Sequence, residues 1–305
     1  MILTYTARER DEGRKLYYIL RDELHISAAL LRRLKRADAI RTDGETRHTD
    51  HRLRTGETVS VDLAAAEPPC GLVPETGAVD LLREDEGMLA VNKPSGLLVH
   101  PTHARYTGTL LNLAAGYLAT SGKAPVCHAV NRLDRDTSGV VLLAKNTYMK
   151  SLLSDDIAAG EKLYLALAAG CPPEEEGIVS LPILRAEPPD MRRFVSEHGQ
   201  PAVTRYRLLA EREGASLLLL KLETGRTHQI RVHLAALGCP VLGDRLYGTE
   251  ASMALSSTLD IDRQALHAWR LSWKDTFTGC PVTVTAPVTR HEFDLFRGDL
   301  PREGA

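Results

Sequence analysis

A chain of 305 residues, 43% hydrophobic and 26% charged, has enough apolar mass for a packed core and suits one large domain with a smaller one beside it. Its 38 Lys/Arg against 40 Asp/Glu leave a net charge of −2, so the total does not mark a nucleic-acid binder, and any such role has to come from clustering on one face. No apolar run reaches the roughly 20 residues that span a bilayer, and the first residues carry no signal-like apolar stretch before the charge at Arg8. Five cysteines (70, 127, 171, 239, 280) stand scattered, with no Cys-x-x-Cys pair. A cytoplasmic protein with reduced thiols is expected, and a disulfide framework or zinc site is not.

Between Arg14 and Glu23 the apolar positions Leu16, Ile19 and Leu20 fall at helical spacing. Ser27 is placed to cap a second helix with Leu30, Leu31 and Leu34 on one face and Arg32, Arg33, Lys35 and Arg36 on the other. Ile40, a Thr42-Asp43-Gly44 turn, a basic-polar stretch from Arg47 to Arg54 and a strand alternating at Val59, Val61 and Leu63 complete a compact unit. Over residues 1–57 there are 13 Lys/Arg against 10 Asp/Glu, so the basic character is local, and taken alone such a face reads as solvated charge. An Ala/Pro/Gly-rich stretch then predicts a linker over 69–78, dividing a unit at 1–68 from a larger one at 79–305.

In the larger unit, strands are expected at 79–82 and 88–92, and a helix at 109–118. The cluster Asn131-Arg132-Leu133-Asp134 leads through Thr137-Ser138-Gly139 into the apolar run 140–144, which reads as a buried strand. By residue type alone, Asp134 is a turn aspartate beside an exposed arginine. A helix at 148–157 and a strand at 162–167 follow, in which Tyr164 reads as a core aromatic. Residues 171–201 are rich in Pro and charge and suit an irregular connection; paired strands at 202–209 and 215–223 come next. Thr227 is placed to cap a helix with Ile230, Leu234 and Leu237 on one face. His228 and His233 are five apart, which is not the spacing of a helical metal pair. Strands at 266–270 and 281–286 close the unit, and 298–305 is expected to lack fixed structure.

Four segments in order carry a resemblance. Asn92-Lys93-Pro94-Ser95-Gly96, the Arg132-Leu133-Asp134…Thr137-Ser138-Gly139 loop, Lys162-Leu163-Tyr164-Leu165-Ala166-Leu167, and Gly225-Arg226-Thr227-His228-Gln229-Ile230-Arg231 with Gly243-Asp244-Arg245-Leu246-Tyr247-Gly248 resemble the RluA-type pseudouridine synthases. Residues 14–63 resemble the RNA-binding domain named after ribosomal protein S-four. The resemblance implies an α+β protein: a small helix-hairpin RNA-binding domain, then a catalytic domain on a large mixed, mainly antiparallel sheet flanked by helices. It implies isomerisation of uridine in RNA with no cofactor and no metal, Asp134 as the catalytic residue, Arg226 as its partner and Tyr164 against the base.

Arg132 and Asn131, with Arg32, Arg33, Lys35 and Arg36, are then expected to meet RNA, ribosomal RNA being favoured over tRNA, and the protein is expected to act as a monomer. The departure is Asn131, where the family commonly has His; Asn can hydrogen-bond but does not titrate near neutral pH. Two other readings compete: an RNA-binding or assembly protein with a silent domain, and a hydrolase pairing Asp134 with Asp136.

Overall fold

The computed structural model describes residues 1–102, 105–187, 190, 192–289 and 291–302. In the N-terminal unit β1 (Ile2–Thr6), β2 (Ile40–Thr42), β3 (Glu45–Thr46) and β4 (Thr58–Asp62) form an antiparallel sheet in the order β1-β4-β2-β3. The predicted first helix is short, α1 (Leu16–Tyr18), and runs on as a π-turn over Ile19–Glu23. The second, α2 (Ala28–Arg36), starts where expected: Ser27 Oγ accepts the Leu30 N–H at 3.2 Å. Its Leu30, Leu31 and Leu34 enter a core with Leu16, Ile19, Val59 and Val61.

That core is completed from outside the unit, by Tyr148 and Leu152 of α4 (Thr147–Ala159). Tyr148 donates its hydroxyl to Leu24 O at 2.8 Å. Arg33, grouped by sequence with the RNA-facing cations, instead bridges the units, donating to Ala66 O at 3.0 Å and to Thr147 Oγ1 at 2.9 Å. Glu67 accepts from the Thr147 backbone and lies 2.9 Å from His128 Nε2. The predicted linker has no helix or strand, yet it is fixed: Asn112 donates to Val73 O, and Glu75 packs on Gly116, where a β-carbon would fall 1.9 Å from Glu75 O. Composition marked a loop there and could not show that α3 (Leu110–Thr120) was shaped to receive it.

The larger unit holds ten strands in one sheet. They are β5 (Leu81–Glu84), β6 (Met88–Lys93), β7 (His128–Ala129), β8 (Ser138–Ala144), β9 (Glu161–Ala169), β10 (Glu176–Ser180), β13 (Val203–Arg212), β14 (Ala215–Leu222), β15 (Leu266–Lys274) and β16 (Pro281–Thr285). The path is β10-β13-β14-β9-β15-β8-β6-β5, with β16 on β15 and β7 on β8. Neighbours are antiparallel except β15 and β8, which run parallel where His267 faces Ser138 and Ala268 faces Gly139. At that crossing Gly139 has φ +111°, and a β-carbon would lie 2.2 Å from Ala268 O, so glycine is required. Every residue of β8 is buried, which explains its unbroken apolar run.

A separate hairpin, β11 (Ile183–Arg185) with β12 (Arg193–Val195), lies in the stretch expected to be irregular; its residues 188, 189 and 191 are outside the described ones. Helices α5 (Gln229–Ala236) and α6 (Glu250–Thr258) pack beside the sheet. The stretch 298–305, expected to lack fixed structure, begins inside a 3-10 segment that runs to Asp299, which pairs with Arg212. Residues 303–305 are outside the described ones. Among the described residues no helix is long and apolar enough to cross a membrane.

Glu84, at the end of β5, ties three elements together. It accepts from Lys123, from Lys145 at 2.8 Å and from the Tyr117 hydroxyl at 2.7 Å. Those donors hold its carboxyl down at about 2. A depressed carboxyl stabilises above its ordinary value and loses that contribution as pH falls through the folded one. Glu84→Gln is therefore expected to cost about 1 kcal/mol at pH 7, water access included. The gap to the parent should narrow as pH drops from 4.5 towards 2, and urea melts across pH 7 to 3 would read it.

Candidate active site

The loop before β8 is pinned before it reaches any chemistry. Lys93 is fully buried, and its ammonium donates at 2.8 Å to the carbonyls of Pro94, Leu97 and Arg135, one proton each. Ser95 Oγ donates to Asp136 O, and Gly96 N–H to Arg135 O. On the far side Gln264 donates to Thr137 Oγ1, and Ser138 Oγ donates to Nδ1 of His267, whose Nε2 meets Ala286 O. The Lys-Pro-Ser-Gly segment is thus a clamp on the carbonyls around Asp134, and buried polar groups satisfied on all sides make it rigid.

Asp134 opens onto a cavity of about 350 Å³ lined by residues of the loop, of β9 and of the 225–231 segment, within the range of small-ligand pockets. Tyr164, from β9, forms part of its wall and is 8% exposed. Burial and the charge of Asp134 both push its phenol up, so the hydroxyl stays neutral.

The carboxylate's guanidinium partner is Arg231, not Arg226. Arg231 Nη1 donates to Asp134 Oδ2 at 2.9 Å, while Nε and Nη2 grip Asp244 at 2.6 and 2.8 Å. Burial opposes its charge, but the hydrogen bonds to Asp244 and the two carboxylates prevail and hold the guanidinium further up than usual. Arg226 is exposed at the pocket rim and donates to Pro201 O at 3.1 Å. The reason is local. α5 begins at Gln229, not after Thr227, and the preceding His228 adopts φ +59°. Arg226 falls before that bend, whereas Arg231 is on the helix, three residues after His228 and on its face.

Other residues named from sequence divide. Arg132 is exposed and makes no hydrogen bond or ion pair among the described residues. Asn131 was expected to meet RNA, but its amide is spent on the next strand: Nδ2 donates to Val140 O and Oδ1 accepts from Leu142 N–H. One side-chain amide thereby takes the place of a peptide in the sheet. Asp136 faces its neighbour Arg135, at 2.9 Å, and not Asp134. Four residues to which sequence reasoning gave no role stand at the site: Arg231, Asp244, Tyr247 and His228. Tyr247 lies under Arg231, ring centroid to guanidinium 5.0 Å, and its hydroxyl is 2.8 Å from His228 Nδ1. Arg231 and Asp244 were both within motifs already singled out; the reciprocal spacing of a helix cation and a following Gly-Asp turn was the available signal. Among the described residues no group of three His, Cys, Asp or Glu is placed to hold a metal.

Comparison with known proteins assigns this large mixed sheet to a known family. The sequence model described as RNA pseudouridylate synthase matches residues 87–236. The chain is 35% identical to the Bacillus subtilis protein named "Uncharacterized RNA pseudouridine synthase YhcT" over 93% of each. It is 36% identical to the ribosomal large subunit pseudouridine synthase D of Xanthomonas campestris, over 84% of this chain and 79% of that one. Among solved structures, human RNA pseudouridylate synthase domain containing 4 superposes with a TM-score of 0.58 at 26% identity, covering 72% of this chain and 93% of its own. The chain belongs to the RNA pseudouridine synthase family, a family of isomerases.

Proposed function

We propose that this protein isomerises uridines of large-subunit ribosomal RNA, with Asp134 as the reactive carboxylate and the extruded base held against Tyr164. The observation that carries the reading is the setting of that carboxylate: its residue lines the pocket, Arg231 holds Oδ2, and Oδ1 accepts no hydrogen bond among the described residues. The isomerisation breaks the N1–C1′ bond and forms C5–C1′; C5 loses a proton and N1 gains one, so the atoms balance without an oxidant or donor. Keeping the freed uracil beside its sugar is a positioning task, which suits a rigid, clamped loop. A stacked uridine is out of reach, so the base has to leave the stack at a cost of a few kcal/mol. Arg132, exposed and uncommitted, suits filling the vacancy with its planar guanidinium. Arg226 at the rim suits a phosphate contact.

Residues 1–68 serve in this reading as an S-four-type RNA-binding domain, through the exposed Arg32, Lys35 and Arg36 of α2. Replacing those three by Glu is expected to flatten the dependence of log affinity on log salt by about 2. Arg33→Ala, which acts at the bridge to Thr147, should lower the melting temperature and leave the salt slope alone. Filter binding over a salt series with parallel thermal melts separates the two. Large-subunit RNA is favoured by the name of the Xanthomonas campestris relative, a ribosomal large subunit pseudouridine synthase. The protein acts in the cytoplasm as a monomer.

The test is pseudouridine mapping of total RNA from cells lacking the protein, complemented with the parent or Asp134→Asn. Defined sites in large-subunit RNA should vanish and return only with the parent. Sites lost from tRNA would move the substrate, and sites restored by Asp134→Asn would overturn the role of Asp134.

A further inference from the structure

His228 stands at the turn into α5 with φ +59°, a conformation that a side-chain-bearing residue adopts at a cost and that aims its ring back into the pocket. Its two nitrogens are not equivalent. Nδ1 lies 2.8 Å from the Tyr247 hydroxyl, with the rings edge to face at 5.6 Å. That hydroxyl already accepts the backbone N–H of Arg193, at the start of β12, at 2.8 Å. Having one proton to give, the phenol gives it to Nδ1, and the proton of a neutral imidazole is left on Nε2. Nε2 is 3.7 Å from Asp134 Oδ2, just beyond a hydrogen bond. Burial keeps the imidazole below its usual value, with Asp134 pulling the other way; Arg231 and Arg193 add to the lowering, and Asp244 opposes it.

We propose that His228 is a positioning residue for Asp134: when uridine fills the pocket, its Nε2–H, fixed by Tyr247, closes on Oδ2 and leaves Oδ1 aimed at the nucleoside. The carboxylate is then held from two sides on one oxygen, by Arg231 and by His228. Held on one side only, it swings about its χ2, and the reacting distance is lost for part of the time. A small misplacement of this kind costs rate more than binding. The relay ends on a backbone amide of the β11–β12 hairpin, so the setting of the tautomer depends on that hairpin being docked. The proposal rests on Asp134 being the reactive carboxylate.

The experiment uses the full chain in excess over total RNA that is tritiated at uracil C5 and taken from cells lacking the enzyme. Tritium release at varied enzyme concentration gives a maximal rate and a half-saturation value. His228→Ala is expected to lower the maximal rate roughly 30-fold, and Tyr247→Phe roughly 10-fold, with half-saturation within about threefold of the parent. Tyr247→Phe keeps the ring on Arg231, so this loss tracks the hydroxyl alone. Acting in series, the double variant should be no slower than His228→Ala. Without the Tyr247 hydroxyl the neutral ring can carry its proton on Nδ1 instead, whereas the imidazolium has an Nε2–H in every case, so the deficit of Tyr247→Phe against the parent should shrink as pH falls. His228→Gln, whose amide N–H can replace Nε2–H and has no tautomer to set, should recover most of the rate at every pH. Losses that multiply, or rates kept with only melting temperature lowered, would overturn the proposal. Asp134→Asn is the control: activity there would sink the parent reading, whereas an inactive Asp134→Asn beside unaffected His228 and Tyr247 variants would sink this one alone.

Discussion

Asp134→Asn is expected to lower the single-turnover rate by at least about 10³-fold, or roughly 4 kcal/mol of barrier, with RNA affinity and melting temperature nearly unchanged. Asparagine keeps the shape and an oxygen to accept from Arg231 Nη1, and Arg231 retains both hydrogen bonds to Asp244, so no buried charge is orphaned. What is lost is the negative charge of the side chain that lines the pocket. Asp136→Asn is the contrasting change. Its carboxylate is satisfied by Arg135, which holds it below the usual carboxylate range against the effect of burial, and its orientation is away from Asp134. Rates within a few-fold of the parent are expected there. The pair also decides against the hydrolase reading: a two-carboxylate hydrolase would lose activity with either change and would release free uracil, which mass spectrometry of the reaction would detect.

The fold was largely legible because its strongest elements are periodic or fully apolar. The run 140–144 became part of β8, Thr109 capped α3, and the hairpin of β13 and β14 fell where the alternation put it. What escaped were elements whose stability comes from tertiary contacts. β1 shows no fully buried residue and exists by pairing with β4 across the whole chain segment between them. β10 and the β11–β12 hairpin lie at an edge or apart from the sheet, among Pro and charge that mask a strand pattern. At the site, the loop with Asp134 and the strand with Tyr164 could be picked out, because a motif names a residue without needing its neighbours. The partner of Asp134 could not, since a single left-handed residue, His228, decides which of two arginines five apart turns inward. Asn131 shows the same limit: its type fits an RNA contact as well as a sheet contact, and only the position of β8 chooses between them.

Arg231→Lys is expected to lower the maximal rate by about 10²-fold, near 3 kcal/mol, while Arg226→Ala leaves it within a few-fold and weakens RNA binding instead. A guanidinium can address Asp244 through two nitrogens and Asp134 through a third in one plane; an ammonium is a point charge on a flexible stem and cannot hold all three contacts. Lysine keeps the charge that Asp244, 1% exposed, requires, so the protein should still fold with a modest loss of stability. Arg231→Leu is the harsher change. It strands two carboxylates against a buried wall, and a cost of about 3–5 kcal/mol is expected from an uncompensated pair of this kind. The order of effects is the informative quantity: Arg231→Leu worst in melting temperature, Arg231→Lys folded but slow, Arg226→Ala fast but weak in binding. If Arg226→Ala proved the slow variant and Arg231→Lys ran at the parental rate, the carboxylate would have to change partners when RNA binds, and the arrangement around His228 would have to be rebuilt with it.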